Sequence, residues 1–352
     1  MSKARQIKVL IVDDSAVSRA ALKFALESDP AITVIGQSSS GSEAIADLAR
    51  LKPDIVTMDI HMPGVDGFET TRQIMETRPL PVVIVSSNFS ANDTAKTFRA
   101  MEAGALAAVE KPPGLKHPEH ATSVHHLVRT VRAMSGVKVV RRRPRENSKA
   151  DSAGPVEVTK IDHRDIRFIA IGASTGGPPV LRTVLADLPK PFPLPVVIVQ
   201  HISTGFVDGL ADWLSSTTNM PVRIARDGEV AEAGCAYIAP DGLQAGVDAK
   251  GCLHCVDEPP EHGLRPSVSY LFRSVARNFG SGAVGVLLTG MGSDGAVELK
   301  MMRDRGAVTI AQDRQSSVVH GMPGEAIRLG AASHTGTPEE IAALLQSLIA
   351  PR

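Results

Sequence analysis

The sequence predicts an α/β protein made of two doubly wound units, and three observations carry that reading. Short β-branched runs alternate with helix-spaced segments over residues 7–112, and the same alternation resumes from Phe168. Between the two blocks lies "GVKVVRRRPRENSKADSAGPVEVTKIDHRD", residues 136–165, rich in charge, serine and proline and poor in apolar periodicity. The chain has 352 residues, more than one hydrophobic core usually serves. The expected organisation is a first domain over 1–135, a linker over 136–165 and a second domain over 166–352.

In the first domain, "IKVLIV", "TVIGQS", "DIVTMD", "PVVIVSS" and "LAAVEKP" read as buried strands. "AVSRAALKFALES", "SGSEAIADLARL", "GFETTRQIMETR" and "ANDTAKTFRAMEAG" lie between them at helical spacing, and a last helix is expected within "HPEHATSVHHLVRTVRAM". Strands separated by helices pair in parallel, because parallel neighbours need crossover connections. The first domain is therefore a five-stranded parallel sheet. In the second, "RFIAIGAS", "LPVVIVQHIS", "GCAYIAP", "AVGVLLTGMG" and "AVTIAQD" are strand candidates. Helical stretches such as "PPVLRTVLADLP", "GFVDGLADWLSS", "SVSYLFRSVARNFG" and "EEIAALLQSLIA" separate most of them. "AYIAPDGLQAGVDAKGCLHCVDE" has two turn signals and no helix, which adds an antiparallel hairpin to a mostly parallel sheet.

Composition narrows the function classes. The chain is 43% hydrophobic and 22% charged, with a formal net charge of zero, so no whole-chain basic surface for nucleic acid is indicated. The cluster Arg141, Arg142, Arg143 and Arg145 within the linker reads as a solvated run, the alternative being a grip on an acidic partner. Three cysteines do not make a disulfide framework, and a reducing cytosol is expected. "MSKARQIKVLIVDD" turns acidic after a short apolar run, unlike a signal peptide, and no stretch approaches the ~20 apolar residues of a membrane span. A cytoplasmic protein without membrane insertion is expected.

Ligands of open parallel sheets gather at the carboxyl ends of the strands. Asp13 and Asp14 close the first strand, Asp59 the third, Ser86 the fourth and Lys111 the fifth. Three carboxylates at one edge repel each other unless a cation sits among them, and hard oxygen ligands suit Mg²⁺. A carboxylate beside Mg²⁺ can accept a phosphoryl group, and a lysine and a small hydroxyl then bind its oxygens. "VDD", "MDIHMPGVDG", Ser86 and "EKPP" closely resemble the receiver domain of two-component response regulators. The resemblance implies phosphorylation of Asp59 by a histidine kinase. It also implies Mg²⁺ on Asp14, Asp59 and the His61 carbonyl, with Asp13 reaching the ion through water. Receivers usually carry an aromatic switch residue three places before the lysine, where this chain has Ala108.

The second domain opens on "IAIGASTGGPPVL", residues 169–181, with Ser174 in a glycine-rich turn between a strand and a helix. A P-loop would need a Lys-Ser/Thr ending and a dinucleotide loop G-x-G-x-x-G; neither is present. What stands is G-x-S-x-G, whose glycines allow a sharp turn that lifts the hydroxyl above the sheet edge. A serine nucleophile needs a base. His201, at the end of the next strand, is the best placed, and His320 in "SSVVHGMP" is its rival. "LLTGMGSDGA" supplies Asp294 in a turn after another apolar strand. The order Ser, His, Asp differs from that of α/β-hydrolases, so that fold is not implied. Cys252 and Cys255 form a C-x-x-C, but three apart on a strand they point to opposite faces, so they read as structural.

"GASTGGP", "QH", "LTGMGSDGA" and "GMPGEAI", joined by a linker to a receiver, resemble the chemotaxis protein-glutamate methylesterases over nearly the whole chain. The resemblance implies a serine hydrolase that removes γ-methyl esters from receptor glutamates and also deamidates receptor glutamines. Ser174 would attack, His201 would take its proton, Asp294 would orient the imidazole and the Met291 N–H would face the oxyanion. The esterase reaction needs no cofactor. The implied partners are the cytoplasmic helices of methyl-accepting receptors and a chemotaxis histidine kinase. A non-enzymatic response regulator and a hydrolase serving another sensory array are the competing readings.

Overall fold

The computed structural model describes residues 6–86, 98, 100–101, 103–137, 139 and 166–349. The expected linker, the Arg141–Arg145 cluster and most of the "ANDTAKTFRAMEAG" helix lie outside the described residues.

The first domain runs β1 (Ile7–Val12), α1 (Ala16–Leu26), β2 (Ile32–Ser38), α2 (Gly41–Leu51), β3 (Ile55–Met58), α3 (Gly67–Thr77), β4 (Val82–Ser86), β5 (Ala107–Glu110) and α4 (His120–Ser135). Its five strands are parallel in the order β2-β1-β3-β4-β5. The central strands are buried along their whole length, as a sheet covered by helices on both faces requires. Ser15, Ser40 and Asp66 each cap the following helix by accepting an N–H three residues on, which explains why α1, α2 and α3 start where they do.

In the second domain, seven parallel strands follow the order β14 (His334–Gly336), β13 (Val308–Gln312), β12 (Ala283–Leu287), β6 (Phe168–Ala173), β7 (Val196–Gln200), β9 (Ala236–Ile238) and β8 (Val222–Ile224). The chain leaves β6 (Phe168–Ala173) through α5 (Gly177–Ala186) to β7 (Val196–Gln200), and after α6 (Val207–Thr217) extends that side with β8 (Val222–Ile224) and β9 (Ala236–Ile238). After α7 (Val268–Asn278) it crosses to β12 (Ala283–Leu287) on the other side of β6. From there α8 (Ala296–Asp304), β13 (Val308–Gln312), α9 (Met322–Arg328), β14 (His334–Gly336) and α10 (Pro338–Ile349) complete the sheet. The strand order thus reverses at β6, and a reversal opens a crevice at the strands' carboxyl ends.

Two details correct the sequence reading. Ala236–Ile238 belongs to the large sheet, while the hairpin is a separate antiparallel pair, β10 (Gln244–Val247) with β11 (Leu253–Val256). The edge strands Val222–Ile224 and His334–Gly336 are three residues each, too short for an alternation signal. Helix α9 carries Pro323 and Gly324 and α8 begins inside a glycine turn, so neither announces itself by composition.

The two domains share a core. Phe98 and Met101 of the first domain are buried in the same apolar cluster as Phe206, Leu210 and Trp213 of the second. The Phe98 and Trp213 rings stack with centroids 5.1 Å apart and planes at 17°.

Candidate active site

Ser174, His201 and Asp294 follow β6, β7 and β12, the three strands that flank the reversal. Ser174 occupies the first turn after β6. Its N–H donates to the Thr289 carbonyl at 3.0 Å, and its own carbonyl accepts from Gly177 N–H and from Gln200 Nε2, each at 2.8 Å. Gln200 Nε2 also donates to the His201 carbonyl at 2.7 Å, so one buried amide ties the serine turn to the histidine turn. On the other flank Thr289 Oγ1 donates to the Thr175 carbonyl at 2.9 Å.

Two glycines are obligatory here. Gly176 has φ +77°, a left-handed conformation, and begins α5. At Gly290 a Cβ would come within 2.8 Å of the Ser174 Cβ, so the neighbouring turn can approach the serine only without a side chain.

His201 Nε2 lies 2.9 Å from Asp294 Oδ2. The contact has hydrogen-bond length, yet Nε2 has no partner in hydrogen-bond alignment, and catalytic contacts are often loose in a resting site. Asp294 is 5% exposed and sits on the N-terminus of α7. Ser267 Oγ and Ser269 N–H donate to Oδ1 at 3.0 and 3.1 Å, and Val268 N–H donates to Oδ2 at 2.7 Å. Burial pushes this carboxyl up, but the His201 contact and the donors from Ser269 and Val268 outweigh it and hold the group at about 2. A carboxylate that stays ionised at neutral pH beside an imidazole is suited to fixing its tautomer and stabilising its charged form.

Ser174, His201 and Met291 line one cavity of 220 Å³. Its roof comes from the first domain: Phe98, Met101, Ala108, His126 and Arg129. Met291 N–H has no acceptor among the described hydrogen bonds. His320, the rival base, does not line this cavity; it bridges to Gly290 and its ring packs beside Gly324. The two cysteines are likewise remote: Cys252 precedes β11 and Cys255 lies on it, its thiol pushed up to about 11 by burial and by Asp227 and Glu229. Among the described residues neither belongs to a cluster that could hold a metal.

The first domain carries a second site. Carboxylate oxygens of Asp13, Asp14 and Asp59 lie within 4.8 Å of one another and could hold a metal. Lys111 Nζ stands 2.7 Å from Asp13 Oδ2 and 3.3 Å from Asp59 Oδ1. Burial, and after it the Asp13 charge, raise the Asp59 carboxyl against the opposing pull of Lys111. Ser86 Oγ is buried with no hydrogen-bond partner, and it ends β4. Three crowded carboxylates and an orphaned hydroxyl fit a divalent cation and a phosphoryl group, which would satisfy both.

Sequence reasoning missed the residues that hold the site rather than those that act in it. Gln200 and Thr289 lie inside the motifs already quoted, but nothing in one chain distinguishes a clamp from a spacer. Ser267 and Ser269 are 27 and 25 residues from Asp294, with no local pattern to link them to it.

Both domains match known protein families. The CheB methylesterase family matches residues 169–345, and the response regulator receiver domain family matches residues 9–120. A protein-glutamate methylesterase/protein-glutamine glutaminase of Geobacter metallireducens is 52% identical over 97% of this chain and 99% of its own. One of the same description from Syntrophus aciditrophicus is 52% identical over 97% of this chain and 98% of its own. The crystal structure of the Thermotoga maritima CheB methylesterase catalytic domain superposes with a TM-score of 0.51 at 34% identity, covering 53% of this chain and all of that one. The chain belongs to the CheB methylesterase family, with a response regulator receiver domain at its N-terminal end.

Proposed function

We propose that this protein hydrolyses glutamate γ-methyl esters on the cytoplasmic helices of chemoreceptors and deamidates receptor glutamines by the same route. The observation that carries the reading is the meeting of Ser174 and His201 on one cavity, with Asp294 2.9 Å behind the imidazole. Ser174 Oγ attacks the ester carbonyl carbon while its proton passes to His201. With Nε2 on the carboxylate side, Nδ1 is the nitrogen left to take it. The tetrahedral oxyanion is met by Met291 N–H, and the positive end of α5 lies beside the turn. His201 returns the proton to the departing methoxy group, and methanol leaves. Water, activated by the same imidazole, then releases the glutamate carboxylate and restores Ser174. A glutamine substrate loses ammonia in the first half instead.

The organisation that serves this is a receiver over 1–135, a linker over 136–165 and an esterase over 166–352. In the receiver, Asp59 accepts the phosphoryl group from a chemotaxis histidine kinase, and Lys111 and Ser86 bind its oxygens. Asp13, Asp14 and Asp59 would hold Mg²⁺, whose charge neutralises phosphoryl oxygen. Among the described residues no helix is long and apolar enough to cross a membrane. The substrate's modified helices are cytoplasmic, and the enzyme works there without an anchor or nucleic acid.

Because the receiver roofs the cavity, phosphorylation of Asp59 is expected to uncover Ser174. The roof is held by apolar packing, with the Phe98–Trp213 stack at its centre. The test is methanol and ammonia release from methylated and amidated receptor, with and without a small-molecule phosphodonor. Wild type should accelerate by about 5- to 150-fold, the span of ordinary allosteric coupling, while Asp59→Asn stays at the basal rate. Absence of methanol release under both conditions would reject the substrate; equal acceleration of Asp59→Asn would reject the phosphorylation site. Phe98→Ala should raise the unphosphorylated rate severalfold by weakening the same contact, at little change in the phosphorylated rate.

A further inference from the structure

Asp294 is gripped from two directions by one residue. Ser269 donates its N–H to Asp294 Oδ1 at 3.1 Å, and its Oγ accepts the N–H of Gly295, the next residue in the chain, at 3.0 Å. A hydroxyl can do the second only while its own proton points elsewhere. Here it points to Glu298: Ser269 Oγ donates to Glu298 Oε2 at 2.7 Å, a charge-assisted bond. Glu298 in turn is set by Arg273, whose Nη1 is 3.6 Å from Glu298 Oε1 and whose Nη2 pairs with Glu261. Both carboxylates and the guanidinium are largely shielded, with side-chain exposures of 13–25%.

Glu261 anchors the far end of this chain of contacts. It closes a tight turn with Leu264 through reciprocal backbone hydrogen bonds of 3.0 and 2.8 Å. Leu264 lines the cavity that holds Ser174 and His201. A continuous set of ion pairs and hydrogen bonds therefore runs from a cavity-lining turn, through Arg273, Glu298 and Ser269, to the carboxylate behind the base.

We propose that Glu298, held by Arg273, is a positioning residue for the hydrolytic reaction: it fixes the Ser269 hydroxyl and thereby aims Asp294 at His201. This deepens the esterase reading and rests on it. Without an acceptor at position 298 the Ser269 hydroxyl rotates to another partner, Gly295 N–H loses its acceptor, and the carboxylate relaxes away from the imidazole. Among the described residues, charged groups stand on both sides of the His201–Asp294 pair. Arg129 and His126 look on from across the cavity, and Glu298 and Arg273 stand behind Ser269. His201 therefore depends on Asp294 for a negative partner.

The experiment measures methanol release by the full-length protein across pH 5–9, for wild type, Ser174→Ala, Glu298→Leu, Glu298→Gln and Ser269→Ala. Glu298→Leu and Ser269→Ala should lower kcat about tenfold with KM within twofold. A loss in kcat with KM preserved is the mark of a misaimed base, since binding is untouched while the reacting geometry is not. Glu298→Gln keeps an acceptor for the Ser269 hydroxyl and should retain most of the activity. Wild-type kcat in both Glu298→Leu and Ser269→Ala would overturn the proposal. So would Glu298→Gln as impaired as Glu298→Leu, or a KM raised in step with the fall in kcat, either of which marks a merely structural role. Should Glu298→Leu fail to fold, Ser269→Ala decides alone. Activity retained by Ser174→Ala would instead reject the hydrolase reading itself.

Discussion

Ser174→Ala is expected to lower methanol release by on the order of 10⁴-fold or more, the loss seen when a member of a serine triad is removed. Thr130 lies on the roof of the cavity, and two other hydroxyls of the second domain, Thr175 and Ser203, line it beside Ser174, so the assignment is a choice and not a default. Of the three second-domain hydroxyls, Ser174 alone has both its N–H and its carbonyl engaged among the described hydrogen bonds: the N–H with Thr289 and the carbonyl with Gly177 and Gln200. A nucleophile must meet the carbonyl carbon in a held geometry, because orientation supplies much of the rate. Thr175 faces a different constraint, since its carbonyl is taken by Thr289 Oγ1 and its side chain is β-branched. The alanine variant removes one oxygen from a partly exposed turn. Its melting temperature should stay within about 3 °C of wild type, which separates lost chemistry from lost fold. A rate within tenfold of wild type would move the nucleophile to one of the other two hydroxyls.

The contrast between what the sequence displays and what it hides follows from chemistry. Ser174, His201 and Asp294 were legible as candidates because the first two directly follow apolar strands and the third lies in the glycine-rich turn after another, and turns at one sheet edge share a location. The acidic pocket was legible for the same reason, with Asp13, Asp59, Ser86 and Lys111 all at carboxyl ends. The residues that roof the cavity were not. Phe98 and Met101 are apolar residues of a helical segment, and nothing local marks their partners as Trp213 and Phe206 more than 100 positions away. Ala108 is a case between the two. The absence of an aromatic was visible, but only the fold puts that small residue at the rim of the esterase cavity, packed against the cores of both domains. Where receivers usually swing an aromatic ring, this chain has space shared with the active site.

Asp294→Asn should cost about 10³- to 10⁴-fold in kcat while leaving KM within a few-fold, because the amide matches the carboxylate in shape and fails it in hydrogen bonding. Oδ1 accepts from Ser267 Oγ and Ser269 N–H; Oδ2 accepts from Val268 N–H and faces His201 Nε2. An asparagine has one acceptor oxygen and one NH₂. With NH₂ in the second position it confronts Val268 N–H and forces the imidazole into the wrong tautomer. Turned over, it confronts Ser269 N–H at the helix N-terminus. Both orientations set donor against donor in a buried place, which costs about 1–3 kcal/mol, and the variant also loses the charge that favours imidazolium. Stability gives an independent check with its own sign. The native carboxyl sits at about 2, below its ordinary value of 3.8, so its contribution is complete above about pH 4 and disappears as pH falls through about 2. Denaturant midpoints of wild type and Asp294→Asn should therefore differ at pH 7 and converge toward pH 2. A constant gap across that range would mean that Asp294 holds α7 without being ionised, and the base would then lack the anion that its chemistry requires.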